Sequence, residues 1–357
     1  MTQEERNRIQ KCVGIVLFLL LLAGPAAGVV TIADDMGGNV TLSSPPVRIV
    51  SLAPSNTEIL GSLGLMNRVV GVTDFCNYPP EALEKPKIGG FSSVNVEKVV
   101  ALKPDLVLAA PTNGKETVAR LRDLGLTVLV LNPENLDGVF RDIRMVGAAT
   151  GTDERAEDLI RSLQARLTIV QSTVSCVADR PTVAHVVWYD PIWVSGNRTY
   201  QDEVIRYAGG TNDFATTAGW DTVSLEDFIL RDPDYILVNG GVGMINTTEN
   251  ANPVYDYFLT DPRLSQLKAV KNGHVIIVDT DTISRGAPRI VDAVEQAAHV
   301  IHPECFSNAS APESTPGRTQ ARTPGFSGLL AGCGFILSLA IRRGMMKETG
   351  SEEQTRS

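Results

Sequence analysis

Two carboxylates stand at matching points of a unit that the chain writes twice. The first copy is "VEKVVALKPDLVLAA" at residues 96–110, and the second is "LEDFILRDPDYILVNG" at 225–240. Glu97 matches Glu226, Pro104 matches Pro233 and Asp105 matches Asp234, all at an offset of 129 residues. Asn95 and Ser224, two good helix N-cap types, precede them. A glutamate just after a cap complements the positive end of a helix, worth a few tenths to ~1 kcal/mol. Two of them on matching points of two lobes also make a spaced pair of negative charges, which suits two basic sites on a symmetric partner. Aromatic rings follow the same offset. Phe91 precedes Glu97 by six residues and Trp220 precedes Glu226 by six, each after a glycine-containing loop. With Phe75 in "GVTDFCNYPP", and Trp188, Tyr189 and Trp193 as further candidates, they can edge a cleft for a flat, bulky ligand held by contact area. Taken singly, each ring equally suits a lobe core.

Groups for bond chemistry are sparse. Of the four histidines, His185 lies in an apolar strand and reads as packed, while His299 and His302 share a helix at a spacing that supplies only two metal ligands. His274 opens an apolar run. There is no Gly-x-Ser-x-Gly elbow, no phosphate-binding P-loop and no Gly-x-Gly-x-x-Gly after a strand. "GGVGMIN" is glycine-rich but opens no helix. The expectation is a protein that performs no catalysis and carries no resident cofactor or metal.

The elements that must position these residues alternate. In the first half, strand-like "RIVSLAP", "VVGVT", "DLVLAA" and "LTVLVLN" interleave with helical "SNTEILGSLG", "VNVEKVVALK" and "KETVARLRDLG". This pattern predicts a parallel sheet covered by helices on both faces. Residues 137–175 read as helical. Within them "DERAEDLIRSLQARLTIVQSTV" has no Gly or Pro, places Leu159, Leu163, Leu167 and Val170 on one face, and is roughly 33 Å long. A second α/β pattern follows, with "TVAHVVWY", "YILVNG" and "HVIIVD" as strands and a last helix through "APRIVDAVEQAAHVIH". Two similar α/β lobes joined by one stiff helix should move little relative to each other. The boundaries are an N-terminal extension at 29–47, a lobe at 48–150, the connecting helix at 151–176 and a lobe at 177–305.

At 357 residues and 43% apolar content the chain has room for two ordinary cores. A net charge of −9 argues against a sequence-independent grip on nucleic acid. Residues 1–28 carry basic residues, the run "VGIVLFLLLLAG" and small residues, the layout of a secretory signal cut near Ala27 or Gly28. Residues 306–323 are a Ser/Thr/Pro-rich linker, 324–343 an apolar stretch ended by Arg342 and Arg343, and 344–357 a polar tail. The expectation is a body outside the cell, tethered to the membrane by its C-terminal helix or by a lipid anchor. Cys76, Cys176 and Cys305 lie in the body without Cys-x-x-Cys spacing, and Cys176 and Cys305 are open either to a disulfide or to two buried thiols. Asn39, Asn197, Asn246 and Asn308 head glycosylation sequons.

"RIVSLAPSNTEILGSLG", "GVTDFCNYPPEA", "VEKVVALKPDLVLA", "GWDTVSLEDFILRDPDYILV", "VKNGHVIIVD" and "GAPRIVDAV" together resemble the iron-siderophore/cobalamin class of periplasmic binding proteins, the substrate-binding subunits of ABC importers. The resemblance covers about residues 46–303. It implies an α/β fold of two Rossmann-like lobes joined by one long helix (the class III periplasmic-binding-protein fold), with ligand between the lobes. It places Glu97 and Glu226 on the family's two docking glutamates for an ABC permease dimer, which works with its ATPase. Among family members the chain looks most similar to cobalamin binders, which implies a cobalt corrinoid as cargo and a monomeric protein. Phe75, Phe91, Trp220 and Ser55 then fall at the ligand, and Asp281 and Arg285 on a loop closing the cleft. Siderophore binders instead meet anionic chelates with arginine, a role open to Arg285 and Arg289. A ferric siderophore or haem is therefore the alternative cargo. An enzyme on this scaffold needs Cys or His ligands at the cleft, and only Cys76 is near one. A sensor or adhesion module that kept the fold is a third reading. Pro324-Gly325-Phe326 with the apolar stretch and its arginines resembles the PGF-type sorting signal of archaeal surface proteins, from which the long polar tail departs.

Overall fold

The computed structural model describes residues 29–240 and 252–306. The expected signal segment, linker, C-terminal helix and polar tail, and the sequons at Asn246 and Asn308, lie outside the described residues.

The first lobe starts earlier than expected. β1 (Val30–Ala33) and β2 (Asn39–Leu42) pair antiparallel, and Ile32, Val40 and Leu42 turn into the core. The Asp34 carboxylate holds this hairpin to the lobe through Arg122. Residues 29–47 are thus a structured part of the lobe. β3 (Ile49–Ser51), β4 (Val69–Val72), β5 (Leu106–Ala109) and β6 (Val128–Val130) form an all-parallel sheet in the order β4-β3-β5-β6. α1 (Pro54–Ser62), α2 (Val96–Ala101) and α3 (Lys115–Asp123) connect the strands. Strand side chains alternate in destination, as period two requires. Leu106 and Leu108 enter one core and Val107 and Ala109 another.

The helical stretch at 137–175 is two helices rather than one. α4 (Leu136–Thr150) is capped by the Asn135 side chain, which accepts from Gly138 N, and it stops at Gly151, whose φ of 68° ends a helix without a Cβ penalty. α5 (Asp153–Val174) is the predicted rod. It buries Ala156, Ile160, Leu163, Leu167, Val170 and Val174, while Leu159 sits at the flank.

The sheet of the second lobe is mixed, with strands the sequence reading did not name. β7 (Thr182–Tyr189) and β8 (Ile192–Ser195) are separated only by Asp190 and Pro191, too short a link for a parallel crossover, so they pair as a hairpin. α6 (Tyr200–Tyr207), the short β9 (Thr211–Asn212) and β10 (Trp220–Val223) follow, then α7 (Leu225–Arg231) and β11 (Tyr235–Gly240). After α8 (Pro253–Thr260) and α9 (Lys268–Lys271) come β12 (Val275–Asp279), α10 (Thr280–Ile283), α11 (Ile290–Ile301) and α12 (Pro303–Phe306). The sheet order is β10-β8-β7-β11-β12, with β9 also on β7; β8 and β10 are antiparallel to their neighbours and the others parallel.

One apolar core runs through both lobes. It takes Ile49, Leu106, Leu108 and Leu129 from the first sheet, Leu237 and Val278 from the second, and the inner faces of α4, α5, α6 and α11 between them. The rod is thus packed inside a shared core, and sliding the lobes apart along it would expose that core to water. A disulfide joins Cys176, just past α5, to Cys305 on α12. It settles the question the sequence left open, and Cys76 stays a buried free thiol.

Candidate functional site

The cleft is built at the carboxyl ends of all four strands of the first sheet. Ala53, Pro54 and Ser55 follow β3; Asp74, Phe75 and Asn77 follow β4; Ala110, Pro111 and Thr112 follow β5; Leu131, Asn132 and Pro133 follow β6. This is where open parallel sheets bind ligands. The second lobe faces these loops with Arg198, Thr199 and Tyr200 at the start of α6, Trp220 at the head of β10, and Ser284, Arg285 and Gly286 after α10. Together they enclose a cavity of about 750 Å³.

Three predicted aromatics meet here. Phe75 and Phe91 pack edge to face with centroids 5.1 Å apart. Trp220 lies across the cleft, and both Phe75 (43% exposed) and Trp220 (49%) leave much of their surface open to the cavity or solvent. Apolar rings left uncovered on facing walls are what a ligand held by contact area requires. Ser55 is also at the cavity. Trp188, Tyr189 and Trp193 are not: Trp188 pairs with Trp193 across the β7–β8 hairpin, and Tyr189 packs between Trp188 and Tyr257.

The floor joins the lobes closely. The Tyr200 hydroxyl donates to the Pro133 carbonyl, and Leu136 N, at the head of α4, donates to Glu203 Oε2 at 2.6 Å. Burial, then the negative charges of Asp142, Glu134 and Glu203, hold the Tyr200 phenol well above its ordinary pKa, so it stays a donor. At Gly286 a Cβ would clash with the Tyr200 ring and would lie 2.8 Å from Pro133 Cγ, so only glycine admits this approach.

Asp281 and Arg285 stand differently at the cavity. Asp281 is buried and does not line the cavity: Oδ1 pairs with Arg285 Nη2 at 2.7 Å, and Oδ2 accepts from Asn77 Nδ2 at 2.7 Å. Arg285 does line the cavity, but its Nη1 donates to Glu58 Oε1 at 2.9 Å and to Asn77 Oδ1 at 2.8 Å. Arg289 donates to the same Glu58 carboxylate, at 2.9 Å and 2.6 Å, and lies over the Tyr78 ring. Burial works against the Arg289 charge, and the Glu58 carboxylate more than offsets it, so its pKa is held above the usual range. The loop expected to close over a ligand is therefore bonded to the other lobe.

Sequence reasoning missed Glu58, Asn77 and Tyr200. Glu58, 1% exposed, lies within the helical "SNTEILGSLG", and its arginine partners are more than 220 residues away. Its one local signal is the apolar Ile59 and Leu60 beside it.

The repeated unit is largely accounted for by the fold. Asn95 and Ser224 both cap their helices, accepting from Lys98 N and Asp227 N. Each helix ends at a non-glycine residue of positive φ, Lys103 (46°) and Asp232 (48°), just before the matched prolines. Asp105 accepts from Val47 N and Arg48 N, both at 2.9 Å, ahead of β3, and Asp234 accepts from Thr182 N and Oγ1, both at 2.9 Å, at the head of β7. In both lobes the aspartate thus anchors the neighbouring strand. The two glutamates are left over: Glu97 and Glu226 are each the second residue of their helix and exposed.

His185 is wholly buried, with Nδ1 2.8 Å from Ser195 Oγ and Nε2 3.0 Å from Asn239 Oδ1, and burial lowers its pKa to about 4. His299 stacks on Phe306, and His302 Nε2 lies 3.2 Å from the Gly209 carbonyl. Among the described residues no three His, Cys, Asp or Glu side chains converge as a metal site, and no helix is long and apolar enough to cross a membrane.

With this geometry in place, the chain belongs to the periplasmic binding protein family, whose profile matches residues 49–282. It is similar to an ABC transporter substrate-binding lipoprotein of Bacillus subtilis (34% identity, covering 78% of this chain and 87% of that protein). A cobalamin-binding protein of Halobacterium salinarum is 32% identical, covering 76% of this chain and 74% of that protein. Among solved structures, the periplasmic vitamin B12 binding protein of Vibrio cholerae superposes with a TM-score of 0.62 at 27% identity (74% of this chain, 99% of that one). A periplasmic haem-binding protein from Roseiflexus superposes with a TM-score of 0.65 at 28% identity (72% and 98%). The two-lobe fold expected from the sequence is thus that of known binding proteins.

Proposed function

We propose that this protein captures a corrinoid between its lobes outside the cytoplasm and delivers it to the permease of an ABC importer. The observation that carries the choice of cargo is the engagement of Arg285, at the cavity, and Arg289, behind it, by Glu58. An anionic chelate needs cations free to meet it, and an arginine already paired with a buried carboxylate is not free. What remains open is Phe75, Phe91 and Trp220 with small polar neighbours such as Ser55 and Thr112, a wall suited to a large ring whose rim bears amides. The cobalamin binder among the relatives supports the same cargo. The metal arrives inside the ligand, and the protein supplies shape and contact area. Exposed Glu97 and Glu226, alike in position and with no duty in the fold beyond complementing their helix ends, serve as the docking points for the permease. The tether is assigned to the segment after residue 306.

A second reading, haem or a ferric siderophore, is favoured by one observation. Arg198 lines the cavity, is exposed and has no acid partner among the described residues. Asp74 and Glu134, also at the cavity, weigh against an anion there. Tryptophan quenching of the purified body with cyanocobalamin, cobinamide, haem and a ferric hydroxamate decides. Saturable quenching by the corrinoids, lost in Trp220→Ala, is the expected result. Tight haem or siderophore binding with silent corrinoids overturns it.

A further inference from the structure

The ion cluster beside the cavity is closed on itself. Glu58 accepts three hydrogen bonds from two arginines of the opposite lobe, and Asn77 is held from both sides, donating to Asp281 and accepting from Arg285. Two acids, two bases and one carboxamide leave no net charge. The cluster spans the two lobes where the cavity begins. Asn77 lies two residues after Phe75 in one wall, and Arg285 precedes Gly286 in the other. Parting the lobes here gives up the charge-assisted bonds that Glu58 and Asn77 make across the seam. The shared core around α5 resists opening in another way, by its apolar area. Ile59 and Ile290, the sequence neighbours of Glu58 and Arg289, belong to that core, so the cluster adds polar bonds where the apolar seam meets the cavity.

We propose that Glu58 is a positioning residue for capture. Through Arg285 and Asn77 it fixes the loop carrying Phe75 against the second lobe, and this latch must open before a bound molecule leaves. The inference rests on the cavity being the capture site, and a ligand-free measurement separates the two. Without ligand, hydrogen exchange of amides in segments 73–79 and 284–289 should quicken by about tenfold or more in Glu58→Gln, while β7 and β11 exchange as in the wild type. With cyanocobalamin bound, a chase experiment should show release accelerated by about tenfold or more and association changed by less than about threefold. Asn77→Ala leaves the Glu58–arginine pairs in place and should move both readouts in the same direction, which keeps the idea testable where Glu58→Gln fails to fold. A lower melting temperature with wild-type loop exchange and wild-type release would make Glu58 merely structural and overturn the latch. Where the wild type binds no corrinoid, the cargo assignment fails and loop exchange alone decides the latch.

Discussion

The first and second copies of the helix–Pro–Asp–strand unit meet the same backbone requirements in unlike surroundings. In the first, the Asp105 carboxylate is exposed and Arg48 donates to the Leu102 carbonyl at the end of the helix. In the second, Asp234 is half-buried against Thr182, and Asp232 accepts from Lys268 N. Val99 and Phe228, both fully buried, anchor the two helices in lobe cores of different composition. The cap, the left-handed helix end, the proline and the strand anchor persist through these changes. Features that persist and carry a bond are explained by folding, and the exposed glutamates persist without one. The repeat is thus mainly the signature of a duplicated architecture, and its functional content is confined to one residue per copy.

Four experiments can break or sharpen this comparison. The largest effect is expected from the strand anchors. Asp234→Ala should cost about 2–3 kcal/mol and Asp105→Ala about 1–2 kcal/mol in urea denaturation, because the half-buried carboxylate leaves less well solvated donors behind. Equal losses would mean that burial does not separate the copies.

Next come the buried titrating groups, which set the lobes against each other. Asp142, in the first lobe, is raised to about pH 8 by burial and then by Asp35, and one of its oxygens has no partner. A carboxyl with a raised native pKa supports the fold fully below about pH 4 and loses that support as pH climbs toward 8. Asp142→Asn should therefore melt about 2–4 °C above the wild type at pH 8 and level with it at pH 4. His185, in the second lobe, has a lowered pKa, so its support is present above about pH 6.5 and disappears as pH falls to about 4. Thermal scans from pH 4 to 9 should give Asp142→Asn a flatter alkaline limb and leave the acid limb in place. A parallel shift at every pH would refute the assignment.

Removing the caps, Asn95→Ala or Ser224→Ala, should cost ~1 kcal/mol each by thermal melting. The smallest stability change belongs to Glu97→Gln and Glu226→Gln, a few tenths of a kcal/mol apiece. Ligand binding should be unaltered in the double variant while uptake by cells is lost. Unaltered uptake would remove the docking role and favour a sensor or adhesion module on the same fold.

What could be read from the sequence follows the range of the interactions. β7, β11 and α5 begin and end where their apolar runs do, because strand and helix periods are local properties. Phe91 and Trp220 are recognisable because they follow glycine-containing loops, and Phe75 because it lies in a loop after a strand. β8 and β10 are short and are not among the strands read from the sequence, and the two-residue link at Asp190-Pro191 makes β7 and β8 a hairpin. The resemblance puts Asp281 and Arg285 on the loop that closes the cleft, and a resemblance carries position and not partners. Their fate was decided by Glu58 and Asn77, more than 200 residues away along the chain.

The covalent link between Cys176 and Cys305 has a mechanical consequence. The chain continues past Phe306 immediately beyond this crosslink, so tension applied from that side reaches the end of α5 before it can peel α11 from the core. A pull on residue 306 is therefore shared between α5 and α12 through the crosslink, rather than falling on α12 and α11 alone.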